Sequence, residues 1–486
     1  MYKTLQSTFT NDKDFPARTF RLSMLTRVIE GALYDNLEYP FDTEENEAGE
    51  YVPIRKRRPS VRYGLCRLVV DDSVSLLFSE GHFPGIEATD NTTRDELSRI
   101  VRDIGLNEVM IDAATKGSVG SVAIWLRILE GRIFVSPIKT IYLTPTWKAT
   151  APDTLEKVTE KYKVKGSDLA DAGYPMIESE MNEFFWFQRD FTETQEIRYV
   201  PIKVKGEKTT PQPDPEFTTD HDLGFVPIVW VKNLPGGDDV DGAPTFPPEV
   251  IDTGIEIDYQ LSQAGRGLKY SSDPTLLIKE PARTQTGELI RGASNAITVG
   301  PNGDAKMLEI DGSAVEAVIS YVRVLRELAL ETAHGNRTNA DKISAAQSGR
   351  AMELMNQALI WLADRLRISY GEGAIKDLLS MIIKASAKMQ LKHRDGSKVE
   401  ELKGDGLALR WPAWYPPTAT DKQTNANTIK TLKDASLLSQ KTGVKIIAAD
   451  HDIEDPADEL NLIEKDEAKN PPVPPANTQE KITESI

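Results

Sequence analysis

Residues 345–389, AAQSGRAMELMNQALIWLADRLRISYGEGAIKDLLSMIIKASAKM, carry apolar side chains at spacings of three and four, with only Gly371 and Gly373 as interior weak points. Unbroken, a helix of this length reaches about 65 Å, too long for a compact domain and suited to a spine. The preceding chain sharpens the constraint. Residues 313–334, SAVEAVISYVRVLRELALETAH, form a second periodic segment, with Val315, Val318, Val322, Leu325 and Ala329 on one stripe and Glu316, Arg323, Arg326, Glu327 and Glu331 on other faces. Between the two lies GNRTNADKISAAQSGR (335–350), which holds almost nothing that can be buried. Helix-to-helix connections in bundles run to about two to eight residues, so a loop this long and polar is either disordered or has a function of its own.

Two more helices are predicted over 15–33 and 60–79, separated by the acidic loop FDTEENEAGEY. A further pair follows over 92–104, with Thr92 or Thr93 as N-cap, and 106–115. From 119 to 231 the texture changes to short β-branched and aromatic runs such as SVAIWLRIL, GRIFVSPI, NEFFWFQR and FVPIVWV, bounded by Gly, Pro and Asp. These predict an antiparallel or mixed sheet, interrupted by a polar loop over 206–224. A helix over 248–270 has Glu249, Asp252, Glu256 and Asp258 towards its start and Arg266 and Lys269 towards its end, as the helix dipole favours. Its small residues Gly254, Ala264, Gly265 and Gly267 indicate either a closely approaching neighbour or a frayed end. Residues 273–312 return to short strands, with GPNGD as a hairpin turn. Residues 405–417 predict a strand returning to the sheet region, 420–466 two or three short helices, and the Pro-rich ending a disordered tail. The fold class is α+β.

At 486 residues the chain is beyond the size at which a single core stops growing, which predicts several parts. The lone cysteine, Cys66, excludes an intramolecular disulfide, and no signal-type segment opens the sequence, so a reducing compartment is expected. No apolar run approaches the roughly 20 residues of a membrane span. A formal charge of −17 argues against a surface that grips nucleic acid, because such binding depends on Lys and Arg displacing counterions.

Motifs for chemistry are sparse. His82, His221, His334, His393 and His451 lie far apart, none with a second His or Cys at ligand spacing. In ATKGSVGSV (114–122) the lysine precedes the glycines, the reverse of a phosphate loop, so it reads as a turn entering a strand. Asp238, Asp239 and Asp241 of GGDDVDG offer oxygens to a hard cation, and a metal-dependent hydrolase or nuclease built on them is the alternative function. A solvated turn is the commoner meaning of such a cluster, since the bidentate Glu of a calcium loop is missing. RKRR (55–58) reads as a surface charge cluster, and Trp411, Trp414 and Tyr415 as packing residues. No enzyme emerges and no cofactor is expected.

Taken in order, several stretches resemble the portal proteins of tailed bacteriophages. VDDSVSLLFSEG (70–81) is similar to the helix opening the family's wing domain, and FVPIVWVKNLPGGDDVDG with EVIDTGIEIDYQLSQAGRGLKYSSDPTLLI to its first stem helix and clip. SGRAMELMNQALIWLADRLRISYGEG resembles the start of the family's long helix, and LSQKTGV and DIEDPADELNLIEKDE its crown helices. The resemblance implies an elongated subunit: a wing at 1–247, stem helices at 248–272 and 313–334, and a β-rich clip at 273–312. A tunnel loop at 335–349, a long spine helix with a return strand at 350–417, a crown at 418–466 and a disordered tail at 467–486 complete it. It further implies a ring, usually a dodecamer, at one capsid vertex of the virion, assembled in the host cytoplasm. The ring would pass double-stranded DNA during packaging and ejection. Implied partners are the large terminase subunit, the head-to-tail adaptor, and the major capsid and scaffold proteins. Asn336, Arg337, Asn339 and Lys342 would face DNA, with Arg337 and Lys342 meeting phosphates, and Lys279, Glu280, Arg283 and Arg291 would lie in the docking clip.

Overall fold

The computed structural model describes residues 1–79, 81–206, 210–272, 275–281, 299–308, 313–335, 353–415, 418–448 and 456–469. The chain divides into two compact units, Met1–Arg337 with Ala358–Pro412, and Thr338–Gln357 with Ala413–Ile486.

The first unit begins with α1 (Tyr2–Gln6) and α2 (Ala17–Glu30). Two-residue strands β1 (Tyr39–Pro40) and β2 (Arg57–Arg58) pair in parallel, and α3 spans Leu65–Phe78. The helix expected from residue 60 starts later because Gly64 sits in the left-handed region (φ +68°), leaving 60–64 outside the helix and exposed. After β3 (Gly85–Glu87) comes α4 (Asn91–Asp103), whose N-cap is Asp90: its carboxylate accepts the N–H and hydroxyl of Thr93, both at 2.9 Å. Asp90 takes the role expected of Thr92 or Thr93 because it immediately precedes the first helical residue, Asn91, and its oxygen reaches the free N–H of Thr93. Then α5 (Leu106–Gly117) leads into the sheets.

β4 (Ser121–Leu129) and β5 (Arg132–Lys139) form an antiparallel hairpin. β6 (Leu143–Lys148), β7 (Ala151–Lys165), the short α6 (Gly166–Asp171), β8 (Phe184–Phe191), β9 (Gln195–Arg198), β10 (Ile202–Lys203), β11 (Thr219–Asp220) and β12 (Ile228–Lys232) follow. β12 pairs with β4 to give the order β12-β4-β5, while the larger sheet runs β11-β9-β8-β7-β6 with β10 on β8. Every pairing in these two sheets is antiparallel. Val122, Ala123, Ile124, Ile228 and Val229 are all buried, which explains why β4 and β12 read as continuous apolar runs: both faces are covered.

α7 (Pro248–Ser272), strands β13 (Thr275–Pro281) and β14 (Val299–Leu308), and α8 (Ser313–Thr332) come next. A continuous helical run follows as α9 (Gln357–Leu366), a π-helical segment Arg367–Ile375, and α10 (Lys376–Ser386), about 45 Å in all. Leu362, Leu366, Tyr370, Ile375, Leu378, Leu379 and Ile382 are buried in the main core with Leu65, Val70 and Leu77 of α3, Leu106 and Met110 of α5 and Val231 of β12. β15 (Ala408–Arg410) pairs with β3, not with the large sheets as the strand expected over 405–417 would. The second unit contributes α11 (Ala419–Asp434), α12 (Gln440–Ile447) and α13 (Pro456–Lys469). Thr418 caps α11 in a reciprocal box, its hydroxyl accepting the Asp421 N–H at 3.2 Å while the Asp421 carboxylate accepts the Thr418 N–H at 3.0 Å. Among the described residues no helix is long and apolar enough to cross a membrane.

Candidate functional site

The polar feature that organises α7 is Asp258, ten residues into the helix and buried between Ile257 and Tyr259. Its Oδ2 accepts the Tyr34 hydroxyl at 2.7 Å and its Oδ1 the Tyr63 N–H at 2.6 Å. Burial lifts the carboxyl above its ordinary range, with the Tyr63 N–H and Tyr34 hydroxyl pulling the other way. One turn on, Ser262 Oγ accepts the Val61 N–H at 3.0 Å, and the Tyr259 hydroxyl donates to Arg57 O at 3.0 Å. Residues 57–63 are thereby strapped along α7. The helix-dipole reading of Asp258 is corrected: the carboxylate is a lateral anchor. Among the three glycines the small-residue reading holds at Gly254, where a Cβ would lie 3.5 Å from Leu65 of α3, while Gly265 and Gly267 face open space.

RKRR is also corrected. Arg57 is 1 % exposed, its guanidinium donating to Val52 O at 2.6 and 2.9 Å under the Tyr51 ring. Only its neighbours Arg55 and Lys56 are fully exposed.

α7 packs on α8, and the stripe predicted for α8 faces inward, with Ala329 buried and Val315, Val318, Val322 and Leu325 partly so. The chain joining them contains an antiparallel ribbon with Thr275 opposite Leu308 and Lys279 opposite Asp304. GPNGD is not the hairpin turn. The next pair after Lys279–Asp304 is Pro281–Val299, so β14 spends five steps where β13 spends two, and Pro301, Asn302 and Gly303 fall in a bulge within the strand. Turn-forming residues suit a bulge as well as a turn, because both leave residues without a ladder partner. Lys279 is exposed on β13 and Glu280 follows it in the strand. Arg283, Arg291, Asn336, Arg337, Asn339 and Lys342 lie outside the described residues.

The three aspartates of GGDDVDG are brought to α2. Asp241, 1 % exposed, receives Arg18 in a bidentate pair, Nε to Oδ2 and Nη2 to Oδ1 both at 2.7 Å, together with Ser121 Oγ at 2.6 Å and Arg21 Nη2 at 2.8 Å. Asp238 binds Arg21 at 2.9 Å and accepts the N–H groups of Val240 and Asp241. Burial alone would raise the Asp238 carboxyl, but the Asp241 N–H, Arg21 and the Val240 N–H outweigh it and hold it at about 2. The cluster is thus a two-arginine clasp between α2 and the loop after β12, with Asp239 left exposed beside it. Two carboxylates already neutralised by guanidinium groups are poor ligands for a cation, so the geometry gives the hydrolase alternative no support. The sequence signal for the clasp was the pairing of an arginine-bearing helix, ARTFR, with an acidic turn more than two hundred residues away, which spacing rules do not connect.

Within the long helical run, the π-helical segment holds both glycines. A Cβ on Gly371 would stand 2.2 Å from Trp411 Cζ2, so the indole packs where a side chain would be, with Phe78 at 6.3 Å and the Arg367 guanidinium at 4.6 Å from its ring. Among the described residues no group of three or more His, Cys, Asp or Glu side chains is arranged to hold a metal ion. What the sequence concentrates instead is scaffolding: a helix strapped by a buried carboxylate, a partner helix, and a ribbon between them.

The family model of the phage portal protein, SPP1 Gp6-like, matches residues 55–472, and the chain belongs to that family. Membership gives it a role in bacteriophage capsid assembly and DNA packaging, as the portal of the capsid. A comparison with curated proteins finds no match.

Proposed function

We propose that the protein assembles into a closed ring, a dodecamer, at one capsid vertex, and that double-stranded DNA passes along its axis inward during packaging and outward at ejection. Residues 1–247 are the wing, 248–272 and 313–334 the stem, 273–312 the clip, 335–349 the tunnel loop, 350–417 the spine and return strand, and 418–466 the crown. The clip, through Lys279, Glu280, Arg283 and Arg291, receives the large terminase subunit and then the head-to-tail adaptor. Asn336, Arg337, Asn339 and Lys342 face the channel. The observation that carries this reading is the helix–ribbon–helix unit of α7, β13, β14 and α8 within a chain of the portal family. A net charge of −17 suits a conduit, since acidic walls repel the duplex and a few basic residues supply transient contacts. Negative-stain microscopy with native mass spectrometry tests the ring, and the double variant Arg337→Glu/Lys342→Glu tests the loop: rings should form normally while packaging or retention of DNA falls. Unchanged packaging removes the functional content of the loop.

A further inference from the structure

The described surface around the α7–α8 pair carries two patches of opposite character. On α8, Tyr321, Val324 and Leu328 stand at spacings of three and four and are 47, 52 and 56 % exposed, a second apolar stripe beside the one that packs inward. The exposed side of the same helix bears Glu316, Glu327 and Glu331 against Arg323, Arg326 being half-buried, and Glu316 and Glu327 make no ion pair among the described residues. The second patch is the strap on α7. Val61 and Tyr63 are 40 and 37 % exposed there, and Arg55 and Lys56 are exposed with no ion pair among the described residues. The Ser262 and Asp258 bonds to the Val61 and Tyr63 N–H groups fix the strap's backbone before any partner arrives, which lowers the entropy lost on docking.

From these two surfaces we infer that the acidic apolar stripe of α8 in one copy docks on the basic strap, residues 55–63, of the next. The occupant is a second copy of this chain, and the inference rests on the ring reading given above. Charge selects the mode of contact. Stripe against stripe, or strap against strap, brings Glu327 near Glu327 or Lys56 near Lys56 and buries like charges together. Stripe against strap sets carboxylates against cations and apolar rings against apolar side chains. Made head to tail, as the ring reading requires, it also leaves one patch of each kind free to continue the series until the ring closes.

The test uses the full-length protein with Lys56→Glu, Glu327→Lys and the two combined, all at exposed positions, with unfolding curves checked against the parent. Each single reversal should raise the concentration needed for half-assembly by about tenfold, and the combined reversal should restore it. Rings that assemble in the single variants as readily as in the parent, or a double variant that is no better than either single, overturn this interface while the ring reading stands. A parent protein that never closes into rings, or stops at two-fold dimers, overturns both.

Discussion

Tyr370 donates its phenolic hydroxyl to Asn233 Oδ1 at 3.0 Å, with both side chains entirely removed from solvent. Asn233 in turn donates through Nδ2 to Ala243 O and Thr245 Oγ1, each at 3.0 Å, and through its N–H to Gly120 O at 2.9 Å. One asparagine thus ties the long helical run to the end of β12, to the loop before α7 and to the turn before β4. Tyr370 and Gly120 each lie more than a hundred residues from Asn233, and this network makes the segments one body at the point where α7 leaves the sheet region.

Tyr370→Phe leaves Asn233 Oδ1 unpaired in a dry site and should lower stability by about 1–3 kcal/mol. Gly117→Ala attacks the same point from the other side, since its Cβ would fall 2.1 Å from Tyr370 Oη and 3.1 Å from Val122 Cγ1. With the hydroxyl removed, most of that clash disappears. Denaturant unfolding of both single variants and the double should therefore give a double-variant loss at least about 1 kcal/mol smaller than the sum of the single losses. Simple additivity would show that the tyrosine oxygen is not what excludes a side chain at 117.

Asp241→Ala should be among the most damaging single changes in the chain. It strands Arg18, whose side chain is only 18 % exposed, without its bidentate carboxylate, and removing one partner of a buried pair loses about 3–5 kcal/mol. Asp239→Ala, two residues away and exposed, should change the unfolding midpoint hardly at all. Equal effects from the two substitutions would refute the clasp.

The helices were legible where an apolar face repeats, as along α8, and α7 was marked instead by prolines and acidic residues at its start and basic residues at its end. β4 and β12 were legible as well, because a strand covered on both faces has a conspicuous composition. Local chemistry was harder to read where several candidates adjoin, as at Asp90, Thr92 and Thr93, or where one residue set serves two geometries, as GPNGD does. The buried charges were out of reach. Asp258 finds Tyr34 across 224 residues and Arg18 finds Asp241 across 223, and nothing in the local pattern distinguishes such a residue from a solvated one. The residues proposed to face DNA and to dock partners came from family resemblance, not from any spacing.

Asp258 gives a pH signature. Its folded carboxyl titrates above its unfolded value, because burial disfavours the charge, so its contribution to stability is fully present below the ordinary carboxylate pKa and is lost as pH rises through the folded value. Asp258→Asn removes this titration while keeping both anchors, with the amide oxygen accepting the Tyr63 N–H and the amide nitrogen donating to Tyr34 Oη. Compared by thermal unfolding from about pH 7 to about pH 4, the variant should lose ground to the parent as the pH falls. Parallel curves would mean that the carboxyl is not perturbed by its burial.

The π-helical segment carries the last prediction. An α-helical path through Arg367–Ile375 rotates each later residue by roughly 100° per inserted position, so the register that sets Gly371 beneath Trp411 depends on the wider turn. A methyl group at 371 cannot coexist with the indole at 2.2 Å and must displace it. Gly371→Ala should therefore destabilise the protein by roughly 1–3 kcal/mol and shift tryptophan emission to the red as the indole meets water. In a Trp411→Leu background the ring is absent, the methyl group finds space, and the same substitution should produce neither effect. If Gly371→Ala is equally harmful with leucine at 411, the glycine is there for the backbone of the π turn and not for the ring packed upon it.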